Sequence, residues 1–186
     1  MEALVTPRLI LEPMTLPLVE AVFRGDREAL EEIAGAKIPA AWPGRVLVER
    51  AFSASLEAIR AAPETRLWGD RLMITRAVAD GTEGSGGKAQ RLVIGSIIFH
   101  GKPDANGVAE IGYGVEESWQ GKGVATEGTR AAVEWALVQP GVRMVTATTP
   151  PWHAASIRVL EKSGLVRIGT EEHETLGEVL RFERAR

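Results

Sequence analysis

The chain has 186 residues, which is long enough to bury a core without a disulfide or a metal, and it most simply forms one domain over residues 1–186. Its composition, 45% apolar and 25% charged, is ordinary for a soluble protein. Because cysteine is absent, disulfides, thiolate metal sites and an acyl-cysteine intermediate are excluded. A net charge of −3 without a basic cluster argues against nucleic acid as the main partner.

The first residues, MEALVTPRLILEPM, contain no basic segment followed by an apolar run. No apolar stretch approaches the roughly 20 residues that span a bilayer. The sequence therefore predicts a cytoplasmic protein without a membrane partner. His100 and His173 are far apart in the sequence and show no metal-ligand spacing, so no metal is expected.

Apolar periodicity and the placement of glycine and proline predict alternating strands and helices. In the first half we expect a strand at 9–11 closed by Pro13, a helix with an inner stripe within 18–23, a helix from an N-cap at Asp26 to Ile33, a loop at 35–45 and a helix over 48–59. In the second half we expect strands within 71–78, 91–100 and 108–115, a helix from about 121 to 138, a strand at 143–149, a helix within 153–164 and a terminal antiparallel pair at 165–170 and 178–185. The strand–helix–strand unit from Val108 to Thr149 requires a parallel crossover, so the fold class is α+β with a mixed sheet.

A glycine-rich turn, QGKGVA at Gln120–Ala125, follows a predicted strand and opens a helix. It is neither a Walker loop, because Gly123 follows Lys122, nor a dinucleotide fingerprint, because Thr126 replaces the third glycine. The first amides of a helix have no internal partner and carry a partial positive charge. Two glycines would let a pyrophosphate approach them closely, although an ordinary glycine-rich helix start is the alternative.

Three segments in order resemble the GNAT N-acetyltransferases. The turn matches the family's [Q/R]-x-x-G-x-[G/A] loop. The segment HAASIRVLEKSGL (153–165) is similar to the family's N-x-x-S-x-x-V-x-E-K-x-G-F segment. The start TPRLILEPM resembles the T-x-R-L-x-L-R start of the Rim-type branch, which acetylates ribosomal-protein N-termini. His153, Leu165 and Glu12 depart from the family's usual Asn, Phe and Arg. Leu160 stands where some branches have tyrosine as a general acid.

The resemblance implies a three-layer fold, in which a mixed, strongly twisted, V-splayed sheet has helices on both faces and acetyl-CoA lies between the fourth and fifth strands. It also implies a bulge at Gly112 and Gly114 that frees an amide near Val115 for the thioester carbonyl. No metal cofactor is implied. The residues expected to contact acetyl-CoA are Val115, Gln120, Gly121, Lys122, Gly123, Val124, Ala125, Thr126, His153 and Ser156.

Glu110 and Ser156 are the expected catalytic residues. Strand alternation places Glu110 on one face with Gly112 and Gly114, where partial burial is expected to raise its pKa toward that of a general base. A solvated surface carboxylate is the alternative. Ser156 is expected to hydrogen-bond the CoA sulfur or pantetheine, unless it only caps its helix.

These features predict direct acetyl transfer from acetyl-CoA to a primary amine, either a peptide N-terminus or a small amine, by a monomer or homodimer. Trp42, Glu110 and Glu172 are the expected acceptor-side residues, with the acidic final hairpin favouring a cationic amine. The alternative is an acyl-CoA-binding or sensor module without turnover, which the departures at Leu160 and His153 motivate.

Overall fold

The computed structural model describes residues 1–40, 56–76 and 90–186. The strands are β1 (Leu4–Val5), β2 (Leu9–Pro13), β3 (Arg71–Thr75), β4 (Val93–Phe99), β5 (Val108–Val115), β6 (Met144–Thr149), β7 (Val166–His173) and β8 (Gly177–Ala185). The helices are α1 (Leu16–Arg24), α2 (Arg27–Ala34), α3 (Leu56–Ala61), α4 (Pro63–Arg66), α5 (Val124–Leu137) and α6 (Ala154–Lys162), with a 3-10 turn at Glu117–Trp119.

The strands form one eight-stranded sheet in the order β1-β2-β3-β4-β5-β6-β8-β7. All neighbouring pairs are antiparallel except β5 and β6, which run parallel because α5 connects them as a crossover. Their pairing covers only the first three residues of β5 and ends at Glu110. Beyond that point the two strands separate, and the sheet opens into a V.

Apolar side chains on the two faces of the sheet pack against different helices. One buried cluster joins the sheet to α5 through Val124, Ala132 and Val133, and the other joins it to α1 and α2 through Leu18 and Leu30. Strand β4 is buried along its whole length, as its continuous apolar run predicts. The result is the expected arrangement of helices on both faces of a mixed sheet.

Helix α5 lies close to the sheet because a glycine faces it. A Cβ at Gly128 would be 3.1 Å from the Cε atom of Met73 and 3.6 Å from a methyl of Leu11. Any larger residue would push the helix outward or displace these core side chains. Gly128 therefore allows α5 to pack closely on β2 and β3.

Most predicted elements are present, with corrections at their ends. Asp26 caps α2 by accepting a hydrogen bond from the Ala29 amide at 3.1 Å. Phe23, which was expected on the inner stripe of α1, is 43% exposed. The prediction for residues 48–55 lies outside the described residues. Strand β1 was not predicted, because two residues give no readable periodicity.

Candidate functional site

A cleft opens where β5 leaves β6. Strand β5 continues to Val115 after its pairing with β6 ends at Glu110. Along its other edge, the last five residues of β5 pair with β4 in an unbroken register. The bulge expected at Gly112 and Gly114 is therefore absent from this pairing, and that expectation is wrong.

The backbone of β5 nevertheless turns an amide toward the cleft. The carbonyl of Glu110 accepts from the His100 amide at 3.1 Å, and the Glu116 amide donates to the Ile94 carbonyl at 2.9 Å. Even-numbered residues of β5 therefore bond to β4, since antiparallel pairs alternate. The N–H of Val115 consequently faces the opposite edge, where no strand pairs with it. Divergence of the strands, rather than a bulge, accounts for the exposed amide.

The glycine turn begins directly beside this strand end. Gln120 Nε2 donates to the Val115 carbonyl at 3.2 Å and so joins the turn to the strand. Gly121 and Gly123 have φ values of +71° and +77°, in the left-handed region that favours glycine. Helix α5 begins at Val124, three residues later than predicted. Because its N-cap is Gly123, no side chain of the N-cap residue occupies the first amides of the helix.

The residues of the turn present backbone rather than side chains. The first amides of α5, at Val124, Ala125 and Thr126, have no acceptor within the helix. Val124 as a whole is 2% exposed and its side chain packs in the core, so that side chain does not meet a ligand. Lys122 directs its Nζ over the ring of Trp119, 5.0 Å from the centroid. The structure thus brings the predicted residues 120–126 together in one compact turn.

An arginine from the start of β2 braces the same turn. Arg8 Nη1 donates to the Lys122 carbonyl at 2.7 Å, and Arg8 Nε donates to the Glu127 carboxylate at 2.6 Å. The Arg8 amide and the Thr6 hydroxyl donate to the other carboxylate oxygen at 2.8 and 2.6 Å. The sequence identified Thr6 and Arg8 as part of a motif but gave them no role, because their partners lie more than 110 positions away.

Glu110 stands on an open face of β5. A Cβ at Gly112 or Gly114 would meet nothing within 4 Å, so the two glycines leave a trough beside the carboxylate. This confirms the predicted sharing of one face. An open pocket of about 230 Å³ adjoins the trough and is lined by Glu110, His100 and Thr146 among others.

His100 pairs with the Glu110 carboxylate. Its Nδ1 lies 3.4 Å from Glu110 Oε2. The hydrogen bond from His100 lowers the pKa of Glu110 below its ordinary value of 4.5, and it outweighs partial burial, which acts to raise that pKa. His173 and Thr148 also act to lower it. The expected net rise in the pKa of Glu110 is therefore wrong, because the sequence alone does not place His100 beside it.

Ser156 meets a tyrosine that sequence reasoning left out of the site. The Tyr113 hydroxyl lies 2.9 Å from Ser156 Oγ and donates to the Ser156 carbonyl at 3.0 Å. Burial raises the pKa of Tyr113 to about 12, although the hydrogen bond with Ser156 acts to lower it. Tyr113 therefore keeps its proton at neutral pH, and the cleft contains two adjacent hydroxyl groups.

The other residues of interest in α6 either cap the helix or pack in the core. His153 is the N-cap, and its Nδ1 accepts from the Ser156 amide at 3.4 Å. Trp152 stacks on the His153 ring with centroids 5.7 Å apart. Leu160, in the place of the tyrosine found in some branches, is 1% exposed and packs in the core. The only tyrosine of the chain, Tyr113, instead reaches α6 from β5.

Two of the expected acceptor-side residues, Glu110 and Glu172, lie in the described part of the chain. Trp42 lies outside the described residues. Glu172 is exposed on β7, in the final hairpin. Trp68 is partly buried against the core, where its ring lies 5.1 Å from those of Phe99 and Trp135, measured between centroids.

Two kinds of feature are absent from residues 1–40, 56–76 and 90–186. Within these ranges no group of histidine and acidic side chains has the arrangement to hold a metal ion. In the same part of the chain, no helix is long and apolar enough to cross a membrane.

Comparisons with known proteins agree with this geometry. Residues 8–166 match the acetyltransferase (GNAT) domain family, so the chain belongs to the GNAT acetyltransferases and is an acyltransferase. It is similar to the uncharacterized N-acetyltransferase YjdG of Bacillus subtilis (strain 168), with 28% identity over 171 residues that cover 89% of this chain and 90% of the relative. Membership of this family supports acetyl transfer to an amine as the reaction.

Solved structures share the fold at low sequence identity. The microcin C7 self-immunity acetyltransferase MccE, in complex with acetyl-CoA and AMP, has a TM-score of 0.59 at 14% identity, covering 97% of this chain and 94% of that one. RimL, a ribosomal L7/L12 alpha-N-protein acetyltransferase in complex with coenzyme A, has a TM-score of 0.57 at 13% identity, covering 99% and 98%. These likenesses establish the three-layer GNAT fold.

Proposed function

We propose that the protein transfers an acetyl group from acetyl-CoA directly to a primary amine, and that the acceptor is a peptide N-terminus or a small amine. The observation that carries the proposal is the meeting of the glycine turn with the end of β5, where the Val115 amide faces the cleft and Gln120 joins the two. A diphosphate on the turn would leave the pantetheine arm to run along β5 toward Glu110.

The diphosphate of acetyl-CoA would lie on the amides of residues 121–126. Those amides combine an unsatisfied donor set with the positive end of the α5 dipole. Gly121 and Gly123 permit close approach because they have no side chains. His153, at the start of α6, would contact the pantetheine arm. MccE, which shares the fold, is complexed with acetyl-CoA.

In the transfer step, the neutral amine attacks the thioester carbonyl, a C–N bond forms and the C–S bond breaks. The Val115 amide would donate to the carbonyl oxygen as negative charge develops there. Glu110 would take the proton of the amine, directly or through one water. The departing thiolate has a conjugate-acid pKa of about 8.5 by analogy with cysteine, so a hydrogen bond from Ser156 is sufficient help for its departure.

A peptide N-terminus is the preferred acceptor class. The start TPRL resembles the Rim-type branch, and RimL, which shares the fold, is named an alpha-N-protein acetyltransferase. Carboxylates at Glu110 and Glu172 would attract a cationic amine, with Trp42 expected on the same side. We also propose that residues 1–186 form one cytoplasmic domain that acts as a monomer or homodimer.

The experiment is a thiol-release assay with acetyl-CoA and a panel of unblocked N-terminal peptides, polyamines and amino sugars. Because the enzyme has no cysteine, a thiol reagent reports only released CoA. Each peptide is paired with the same peptide carrying a blocked N-terminus and no lysine. Release with the free peptide alone supports N-terminal transfer. Binding of acetyl-CoA without release across the panel would contradict transfer to these acceptors and favour a sensor.

A further inference from the structure

We propose that Arg8 is a positioning residue that fixes the glycine turn in the form that receives the diphosphate of acetyl-CoA. The inference rests on the proposed function and concerns a residue that touches the turn from another part of the chain. Arg8 Nη1 holds the Lys122 carbonyl at 2.7 Å, and its Nε holds the Glu127 carboxylate at 2.6 Å. One rigid guanidinium therefore joins the middle of the turn to the first turn of α5.

The contact between Arg8 and Glu127 matters because Glu127 places a negative charge close to the proposed diphosphate position. Glu127 lies in the first turn of α5, where a negative charge is favoured by the helix dipole and would compete with a bound anion. Its oxygens accept from Arg8 Nε, the Arg8 amide and the Thr6 hydroxyl at 2.6 to 2.8 Å. These donors neutralise the carboxylate and hold it against β2. The exposed amides at the helix start are thereby left to the ligand.

The Lys122 carbonyl is a second group that could repel an anion at the turn. A carbonyl oxygen that pointed into the anion position would repel a phosphate oxygen, and Arg8 Nη1 holds this one in a charge-assisted hydrogen bond. The ammonium of Lys122 itself lies over Trp119. Arg8 also places positive charge at the turn, since its Nη2 is 3.4 Å from the position of a Cβ on Gly123 and its side chain is 52% exposed.

The test compares two acetyl donors that differ in the diphosphate. S-acetylpantetheine has the thioester and the pantetheine arm of acetyl-CoA but lacks the nucleotide and its diphosphate. Arg8→Ala is expected to raise KM for acetyl-CoA by about tenfold or more, as for loss of a charge-assisted contact, with kcat nearly unchanged. The same variant is expected to use S-acetylpantetheine as well as the wild type does. A general loss of structure would instead lower activity with both donors.

Two further variants make the result specific. Arg60→Ala is a matched control, because Arg60 Nε binds Glu20 at 2.6 Å and its side chain is 51% exposed, away from the turn. It should leave both donors unchanged. Arg8→Lys keeps the charge but cannot donate in the same fork to Lys122 and Glu127, so its KM should fall between those of the wild type and Arg8→Ala.

The outcomes separate this inference from the proposed function. The role of Arg8 would be overturned by any of three results: an equal loss of activity with both donors in Arg8→Ala, an unchanged KM for acetyl-CoA in Arg8→Ala, or the same rise in KM in Arg60→Ala. The proposed function would still stand in these cases if the wild-type enzyme prefers acetyl-CoA to S-acetylpantetheine. A wild-type enzyme that does not prefer acetyl-CoA to S-acetylpantetheine would overturn the diphosphate site and the inference together. A selective rise in KM for acetyl-CoA supports both.

Discussion

Replacing Gly123 with alanine should weaken acetyl-CoA binding in addition to destabilising the fold. Gly123 has a φ of +77° and forms the N-cap of α5, so alanine there incurs about 1–2 kcal/mol of left-handed backbone strain. In a chain of this size that loss lowers Tm by about 2–8 °C. The new methyl would also stand beside the amides that are proposed to receive the diphosphate, 3.4 Å from Arg8 Nη2. We expect Kd for acetyl-CoA to rise by more than about tenfold, or 1.4 kcal/mol.

The matched control is Gly25→Ala. Gly25 ends α1 with a φ of +65°, and a Cβ there would meet nothing within 4 Å, so it carries a similar strain far from the turn. Differential scanning fluorimetry should give comparable Tm losses for the two variants, while calorimetric titration should show weakened acetyl-CoA binding only for Gly123→Ala. Equal Kd values in the two variants would refute the placement of the diphosphate.

Three other changes test the groups along β5. Glu110→Gln should lower kcat by about 100-fold with little change in Kd for acetyl-CoA, and a wild-type kcat would remove its role as base. His100→Ala should raise the pKa of Glu110, since it removes the hydrogen bond that offsets burial; NMR titration of the Glu110 carboxyl should give a midpoint at higher pH than in the wild type, and an unmoved midpoint would contradict the pairing. Tyr113→Phe should lower kcat several-fold, as for loss of one hydrogen bond, without moving the titration midpoint of Glu110, and a kcat equal to the wild type's would show that the hydroxyl is dispensable.

Features with a local cause were predictable from the sequence. Strand β5 was predicted with its observed ends, Val108 and Val115, because a turn precedes it and a glycine-rich segment follows it. The turn at Gln120–Ala125 was predicted because left-handed backbone at Gly121 and Gly123 depends on residue type. Such signals are contained in a few consecutive residues, so no knowledge of the packing is needed to read them.

Features that depend on long-range contacts were not predictable in the same way. The pairing of His100 with Glu110 reverses the expected pKa shift, and it follows from the register between β4 and β5. The contact of Tyr113 with Ser156 joins residues 43 positions apart. The family resemblance implied a bulge at the β5 glycines, whereas in this chain the amide is exposed because β5 separates from β6.

The most direct test of the account is mass spectrometry of the acceptor after reaction with acetyl-CoA carrying a labelled acetyl group. Direct transfer predicts that an unblocked amine from the panel gains one labelled acetyl group for each CoA thiol released, and that Glu110→Gln slows both to the same extent. Release of thiol without a labelled amine would show hydrolysis instead of transfer. Neither label nor thiol with any amine, despite binding of acetyl-CoA, would contradict the central claim.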